Sequence, residues 1–271
     1  MRSGSRWTRI VGLLGVLLTL VLVTATASRI EEQSFCENVP SGRQCSGRSE
    51  VFGTSDLRVH LWMKIGIGGR DTLTAEWRAP TGNTWTTQEI KLESGGGYYA
   101  YSHVTILGSY ASLLTGTWAV NVRTKGSASV NEHYSFSLVP TWDEEDEPND
   151  AKEDAHSLSP EDAPQFHGTL ADGDSDWYRI RLPDSQRYYV SAVSKTSYTT
   201  TMLTAYQQGG TSGTLENVGV LGSADKKWGE CASLKGPGTC YVRVSHPSGA
   251  SGDREYLVAV SHLRPSWAEG Y

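Results

Sequence analysis

The sequence predicts an all-β protein made of two β-sandwich domains that follow a cleaved signal peptide. Apolar and polar residues alternate in short runs, and turn residues break those runs roughly every 8 to 12 positions. A dense acidic stretch near the middle, "DEEDEPND" at 143–150, separates two strand-rich halves. Only the first two dozen or so residues have a convincing helical pattern, so βαβ units are not expected.

The leader comes first. Arg2, Arg6 and Arg9 precede an apolar run from Ile10 to Val23, and Thr24-Ala25-Thr26-Ala27 follows it. A basic start, a short apolar core and an Ala-x-Ala site are the marks of a secretory leader, 1–27, with Ser28 as the mature start. The run is shorter than the roughly 20 residues that span a bilayer, although an uncleaved anchor is the alternative reading. The chain is therefore expected to be secreted, periplasmic or at the cell surface. Losing the three arginines moves the formal charge from −6 to about −9, so nucleic acid is not expected as a partner.

Four cysteines fall as two local pairs, Cys36 with Cys45 and Cys231 with Cys240. Three pairings are possible in principle. Crossing the halves would tie separate domains together, so in an exported chain two local disulfides are expected. Neither pair has C-x-x-C spacing, which argues against zinc.

In the first domain, 28–140, the candidate strands are 57–65, 73–80, 84–92, 98–106, 116–124 and 132–139. The breaks between them are "GIGGRD", "PTGN", "ESGGG" and "KGSAS". "WRAPTG", then "GTWAVNV" and "HYSFSL", together resemble the closing strands of an immunoglobulin-like or fibronectin-like module. Trp77, Trp118 and Phe136 alternate toward a core. Trp85, Tyr98, Tyr99 and Tyr101 are candidates for a ligand face, although tyrosine is also a good strand former.

The second half carries the stronger signal. "EPNDAKEDAHSL" (147–158), "FHGTLADGDSDWYRIRLP" (166–183), "GTCYVRV" (238–244) and "EYLVAV" (255–260) follow one another. In that order they resemble the bacterial pre-peptidase C-terminal domain over about 147–264, with 141–150 as acidic linker and opening motif. The resemblance implies a jelly-roll-like β-sandwich that accompanies secreted hydrolases and is not itself catalytic. It also implies a calcium site, with Glu147, Asn149, Asp150 and Glu145 on one arm and Asp174 and Asp176 on the other.

The residue types support calcium independently of the family. Calcium takes about six to eight oxygen ligands, which carboxylates from two segments and one amide oxygen can supply. Asp172, Asp174 and Asp176 recur at every second residue, so in an extended segment all three face one way. Asp172-x-Asp174-x-Asp176 also copies the opening of an EF-hand loop. That reading fails, because Trp177 stands where the loop needs Gly, Pro183 stands where it needs Glu, and a strand follows. A solvated linker with an acidic turn is the plain alternative.

Catalysis finds little support. There is no G-x-S-x-G elbow and no H-E-x-x-H helix, and "GDSD" at 173–176 lacks the following glycines of a hydrolase block. The sequence thus predicts an exported, noncatalytic binding or accessory protein, stabilised by calcium, that recognises an extracellular protein or polysaccharide or serves a secreted hydrolase on a separate chain. The alternatives are a purely structural envelope protein without a metal, and a small hydrolase with an unrecognised first domain.

Overall fold

The computed structural model describes residues 28–40, 43–66, 71–92, 97–125, 130–162, 164–194, 202–209, 214–217, 230–245, 252 and 254–262. The expected leader lies outside the described residues. The described residues are strand, turn and irregular loop, apart from two single 3₁₀ turns at Tyr110–Leu113 and Lys152–Asp154. Among the described residues, no helix is long and apolar enough to cross a membrane.

The first sandwich holds β1 (Arg29–Asn38), β2 (Ser46–Arg48), β3 (Val51–Gly53), β4 (Arg58–Gly66), β5 (Asp71–Arg78), β6 (Thr84–Leu92), β7 (Tyr98–Thr105), β8 (Gly116–Thr124) and β9 (Asn131–Val139). One sheet has the order β2-β1-β4-β7 and the other β3-β9-β8-β5-β6, with β3 parallel to β9 and every other pair antiparallel. That is an immunoglobulin-like arrangement. The alternation read from the sequence is what builds it, since Val59, Leu61, Met63 and Ile65 of β4 meet Leu73, Ala75 and Trp77 of β5 in one core. Trp77, Trp118 and Phe136 are all buried there. Both indoles keep their polar atoms satisfied: Trp77 Nε1 donates to Ser102 Oγ at 2.6 Å and Trp118 Nε1 to the Leu114 carbonyl at 2.9 Å. Burying each such ring stabilises the fold by about 1.5–3 kcal/mol.

The second sandwich holds β10 (Asp143–Glu144), β11 (His156–Leu158), β12 (Gln165–Leu170), β13 (Ser175–Leu182), β14 (Arg187–Ser194), β15 (Met202–Gly209), β16 (Thr214–Asn217), β17 (Glu230–Lys235), β18 (Gly238–Ser245) and β19 (Arg254–Ser261). Its sheets run β10-β12-β19-β14-β17 and β11-β13-β18-β15-β16. Successive strands mostly cross from one sheet to the other, in jelly-roll fashion.

Cys36 and Cys45 form the expected disulfide, with Cα atoms 5.8 Å apart, and it clamps the loop between β1 and β2. The second expected disulfide is not formed. Cys240 is a free, buried thiol in the core of its sandwich. Cys231, whose side chain lies outside the described residues, pairs through its backbone with Ser191 of β14, in the sheet opposite the one that holds Cys240. Proximity in sequence therefore does not bring the two cysteines together.

The acidic stretch is not a free spacer. Asp143 and Glu144 add β10 to the second sandwich, parallel to β12. Leu107 and Leu113 of the first sandwich also pack against Val193, Leu257 and Ala259 on the outer face of β14 and β19, with Tyr110 and Trp142 alongside. Ser191 Oγ donates to the Gly108 carbonyl at 2.9 Å, and Gln165 Nε2 donates to Thr54 Oγ1 at 2.7 Å across the same junction. Gly108 has φ +71°, and a methyl there would also press on Ser191, so this contact needs glycine.

Candidate metal centre

Strand β10 delivers the first carboxylate. The Glu145 N–H donates to the His167 carbonyl at 3.0 Å, extending the β10–β12 pairing by one residue. Its side chain lies over Gly168, where any Cβ would overlap the carboxylate. Oε1 accepts from the Thr169 N–H at 2.6 Å, while Oε2 accepts from Asn149 Nδ2 at 3.2 Å and Tyr178 Oη at 2.9 Å and lies 2.8 Å from Tyr256 Oη. The chain then turns through Glu147 to Asn149, whose carbonyl accepts from the Trp177 N–H at 3.0 Å. That bond fastens the acidic segment to β13.

The other arm comes from the turn into β13. Gly173 has φ +82°, and the Asp174 N–H returns to the Ala171 carbonyl at 3.2 Å. Asp174 receives the N–H groups of Ser175 at 2.7 Å and Ala171 at 3.2 Å. Asp176, two residues on, is fully buried and accepts from Tyr256 Oη at 2.6 Å.

The structure thus brings together six of the seven expected residues. Glu145, Glu147 and Asp176 place one oxygen each within 4.8 Å of one another, and so do Asp150, Asp174 and Asp176. Asn149 is fully buried beside Glu145 and Glu147. Asp172 does not join them. Residues 171–174 form a turn, not the extended segment that alternation assumed, and Asp172 Oδ1 instead accepts from the Gly252 N–H.

The electrostatics of the cluster are those of crowded, partly dry carboxylates. Burial, and then the charges of Glu145, Asp174 and Glu147, push the Asp176 carboxyl up to about 8 against the hydrogen bond from Tyr256. Asp150 is raised by its hydrogen bond and repulsion with Asp174. Burial holds the Tyr178 and Tyr256 hydroxyls well above their ordinary range, so both remain donors. Each hydroxyl has only one proton to give. Asp176 Oδ1 and Asn149 Oδ1 are both buried and have no hydrogen-bond partner. A hard cation with about 2.4 Å bonds can reach oxygens up to about 4.8 Å apart, so the all-oxygen set suits calcium.

Tyr178, Tyr256 and Gly168 complete the site, although the sequence reading assigns none of them to it. Tyr256 lies 80 residues beyond Asp176, and no local spacing reveals a partner on a distant strand. The expected aromatic ligand face is divided. Tyr99 and Tyr101 are 40% and 48% exposed on the outer side of β7, but Trp85 and Tyr98 pack against the first core. Trp85 also stacks on Tyr110, with centroids 6.1 Å apart.

No protein-family model matches this chain, and no curated protein matches it. Among solved structures, the C-terminal domain of Wzt is 9% identical, covering 42% of this chain and 74% of that one, with a TM-score of 0.28. An immunoglobulin-like protein from Pseudomonas aeruginosa is 12% identical, covering 43% of this chain and 99% of that one, with a TM-score of 0.30. Tripeptidyl peptidase 2 is 10% identical, covering 86% of this chain but 20% of that one, with a TM-score of 0.26. At those scores the likenesses carry no argument about function.

Proposed function

We propose that the protein is an exported, noncatalytic binding or accessory protein whose second sandwich is stabilised by calcium. The observation that carries the metal is the pair of buried, unpartnered oxygens, Asn149 Oδ1 and Asp176 Oδ1, within a cluster of five carboxylates. Leaving a buried acceptor unsatisfied costs about 1–3 kcal/mol, and a cation removes that cost together with the repulsion. Glu145, Glu147, Asn149, Asp150, Asp174 and Asp176 would hold the ion. Its role is structural, because it neutralises the cluster and joins the acidic segment to the start of β13.

The resemblance to the pre-peptidase C-terminal domain supports this reading, since the acidic motifs that carry it are the ones that meet in space. Leader and disulfide support export. The noncatalytic reading is supported by the histidine contacts: His133 meets Asn121 at 2.8 Å and His167 meets Glu144 at 2.8 Å, while His156 lies against the Asp146 backbone. These are structural pairings rather than a base beside a nucleophile.

The test is a thermal melt of residues 28–271 in excess EDTA and then across rising calcium. A melting point that climbs and saturates, and no longer does so in Asp174→Ala, supports the site. A flat response up to millimolar calcium would leave a metal-free structural protein.

A further inference from the structure

We propose that the outer face of the sheet formed by β11, β13, β18 and β15 binds an acidic polysaccharide, a chain carrying carboxylate or sulfate groups at regular intervals. The proposal rests on the extracellular binding role above and gives it a surface and a ligand class.

Strand period sets up the face. On β13, Asp176, Tyr178, Ile180 and Leu182 are buried, so Trp177, Arg179 and Arg181 lie on the other side. On β18, Cys240, Val242 and Val244 are buried, so Tyr241 and Arg243 lie beside them. The register sets Trp177 opposite Arg243 and Arg179 opposite Tyr241, and it sets Tyr206 of β15 opposite Tyr241. Rings and guanidinium groups therefore alternate across the strands. Trp177 stacks with Tyr206 at 5.5 Å between centroids, the Arg243 guanidinium lies 5.9 Å from the Trp177 ring, and Lys152 Nζ lies 4.6 Å from the Tyr241 ring.

The cations of this face are not held in ion pairs. Among the described residues, Arg179, Arg181, Arg243 and Lys152 form no ion pair. In the first sandwich, Arg29, Arg48, Lys64, Arg78 and Lys125 each lie 2.6–3.5 Å from a carboxylate. Arg243 Nε is buried without a hydrogen-bond partner. Glu161 and Asp162 line a groove with Arg179 and Arg181 but form no ion pair with them, and Glu153 and Asp154 follow Lys152 in its turn. Of the carboxylates of the metal centre, Asp176 lies on the buried side of β13, while Glu147 and Asp150 are exposed on the segment that precedes Lys152.

Four unpaired cations on one face of a chain with net charge −6 call for an anionic ligand, and half-buried rings between them offer apolar contact to sugar rings. Arg179 and Arg181 are two strand positions apart, about 6.6 Å, so a polymer with regularly repeated charges can meet them in succession. A nucleic acid would bring a denser charge against the acidic remainder of the chain.

The test titrates calcium-loaded residues 28–271 with polygalacturonate oligomers, heparin oligomers and neutral dextran, followed by calorimetry. Binding of either acidic glycan and not dextran is expected, the two arms separating carboxylate from sulfate recognition. Arg179→Gln with Arg181→Gln, both exposed, should weaken binding at least tenfold, while Arg48→Gln in the first sandwich leaves it unchanged. Equal affinity for dextran, for poly-glutamate or for single-stranded DNA would overturn the proposal, as would unchanged binding in the double variant. Absent binding with the calcium melting shift intact would overturn this inference alone, and a lost shift with binding intact would overturn only the metal reading. The melting shift of the double variant verifies its fold.

Discussion

The two sandwiches fasten their first segments by different chemistry. In the first, β1 and β2 are closed by the Cys36–Cys45 bond, whose half-cystine at 36 is fully buried. In the second, β10 and the segment after it are fastened by carboxylates that Tyr178, Tyr256, Asn149 and the backbone of β12 hold in place. A covalent clamp is indifferent to ions and sensitive to reductant. A cluster of five carboxylates beside the unpartnered Asn149 Oδ1, holding calcium as proposed, has the opposite sensitivities. On the calcium reading proposed above, the chain carries two locks that respond to different variables, and each can be opened while the other is watched.

Removing calcium should have the largest effect. At a free concentration about 100 to 1,000 times the dissociation constant, an ion bound as proposed would stabilise the folded state by about 2.7–4.1 kcal/mol, and that stabilisation should disappear in EDTA. Asn149→Ala should shift the calcium dependence to higher concentration without collapsing the metal-free fold, because the residue lies on a loop. Reduction, or Cys36→Ser with Cys45→Ser, comes next. Closing a loop of about ten residues is worth about 2–3 kcal/mol, and urea unfolding should show that loss while the calcium shift stays unchanged. If either treatment abolished the response to the other, the two locks would not be separate.

The strands were legible because alternation with period two survives into the structure almost residue for residue. β6 and β8 occupy 84–92 and 116–124, as the pattern predicts. β1 escaped, since Arg29–Gln33 carries one apolar residue, Ile30, among charged and polar ones, and only Phe35 and Cys36 are buried. The acidic motifs were legible as composition, but their meeting is a matter of topology. Trp177 holds the Asn149 carbonyl and Tyr256 reaches Asp176 from another sheet. The failures share one cause. Asp172 was assigned by strand phase to a segment that turns, and Cys231 was paired with Cys240 by sequence distance across two sheets. In both cases the chain changes direction between the residues that a local rule relates.

A smaller effect tests how tightly Glu145 must lie against its strand. Gly168→Ala puts a methyl where that carboxylate sits, and moving the carboxylate away breaks its bonds to Thr169 and Asn149. A charged hydrogen bond is worth about 1.5–3 kcal/mol, less what water restores, so a loss of about 1–2 kcal/mol is expected in the calcium-loaded protein. Gly82→Ala is the control for inserting a methyl, since nothing lies within 4 Å of that position, although its φ of +83° adds local strain. A calcium midpoint in Gly168→Ala equal to that of the parent would show that Glu145 is not a ligand.

The smallest effect concerns acid, and it separates the locks by location. His60 of the first sandwich is buried beside His103 and Tyr101, with ring centroids 5.2 and 6.1 Å away. Burial, then the charges of His103 and Arg58, lower its pKa from 6.5 to about 4. Above pH 6.5 the ring is neutral in both folded and unfolded chains and contributes no pH dependence. Between 6.5 and about 4 the unfolded chain takes up a proton that the folded chain refuses, so stability falls as pH drops and levels off below the lower value. Allowing for solvent screening of a ring close to the surface, the loss is about 1 kcal/mol. His60→Gln should flatten that part of the pH profile in urea unfolding at saturating calcium. An unchanged slope would show that the histidine is protonated in the fold, with the acid sensitivity of the first sandwich residing elsewhere.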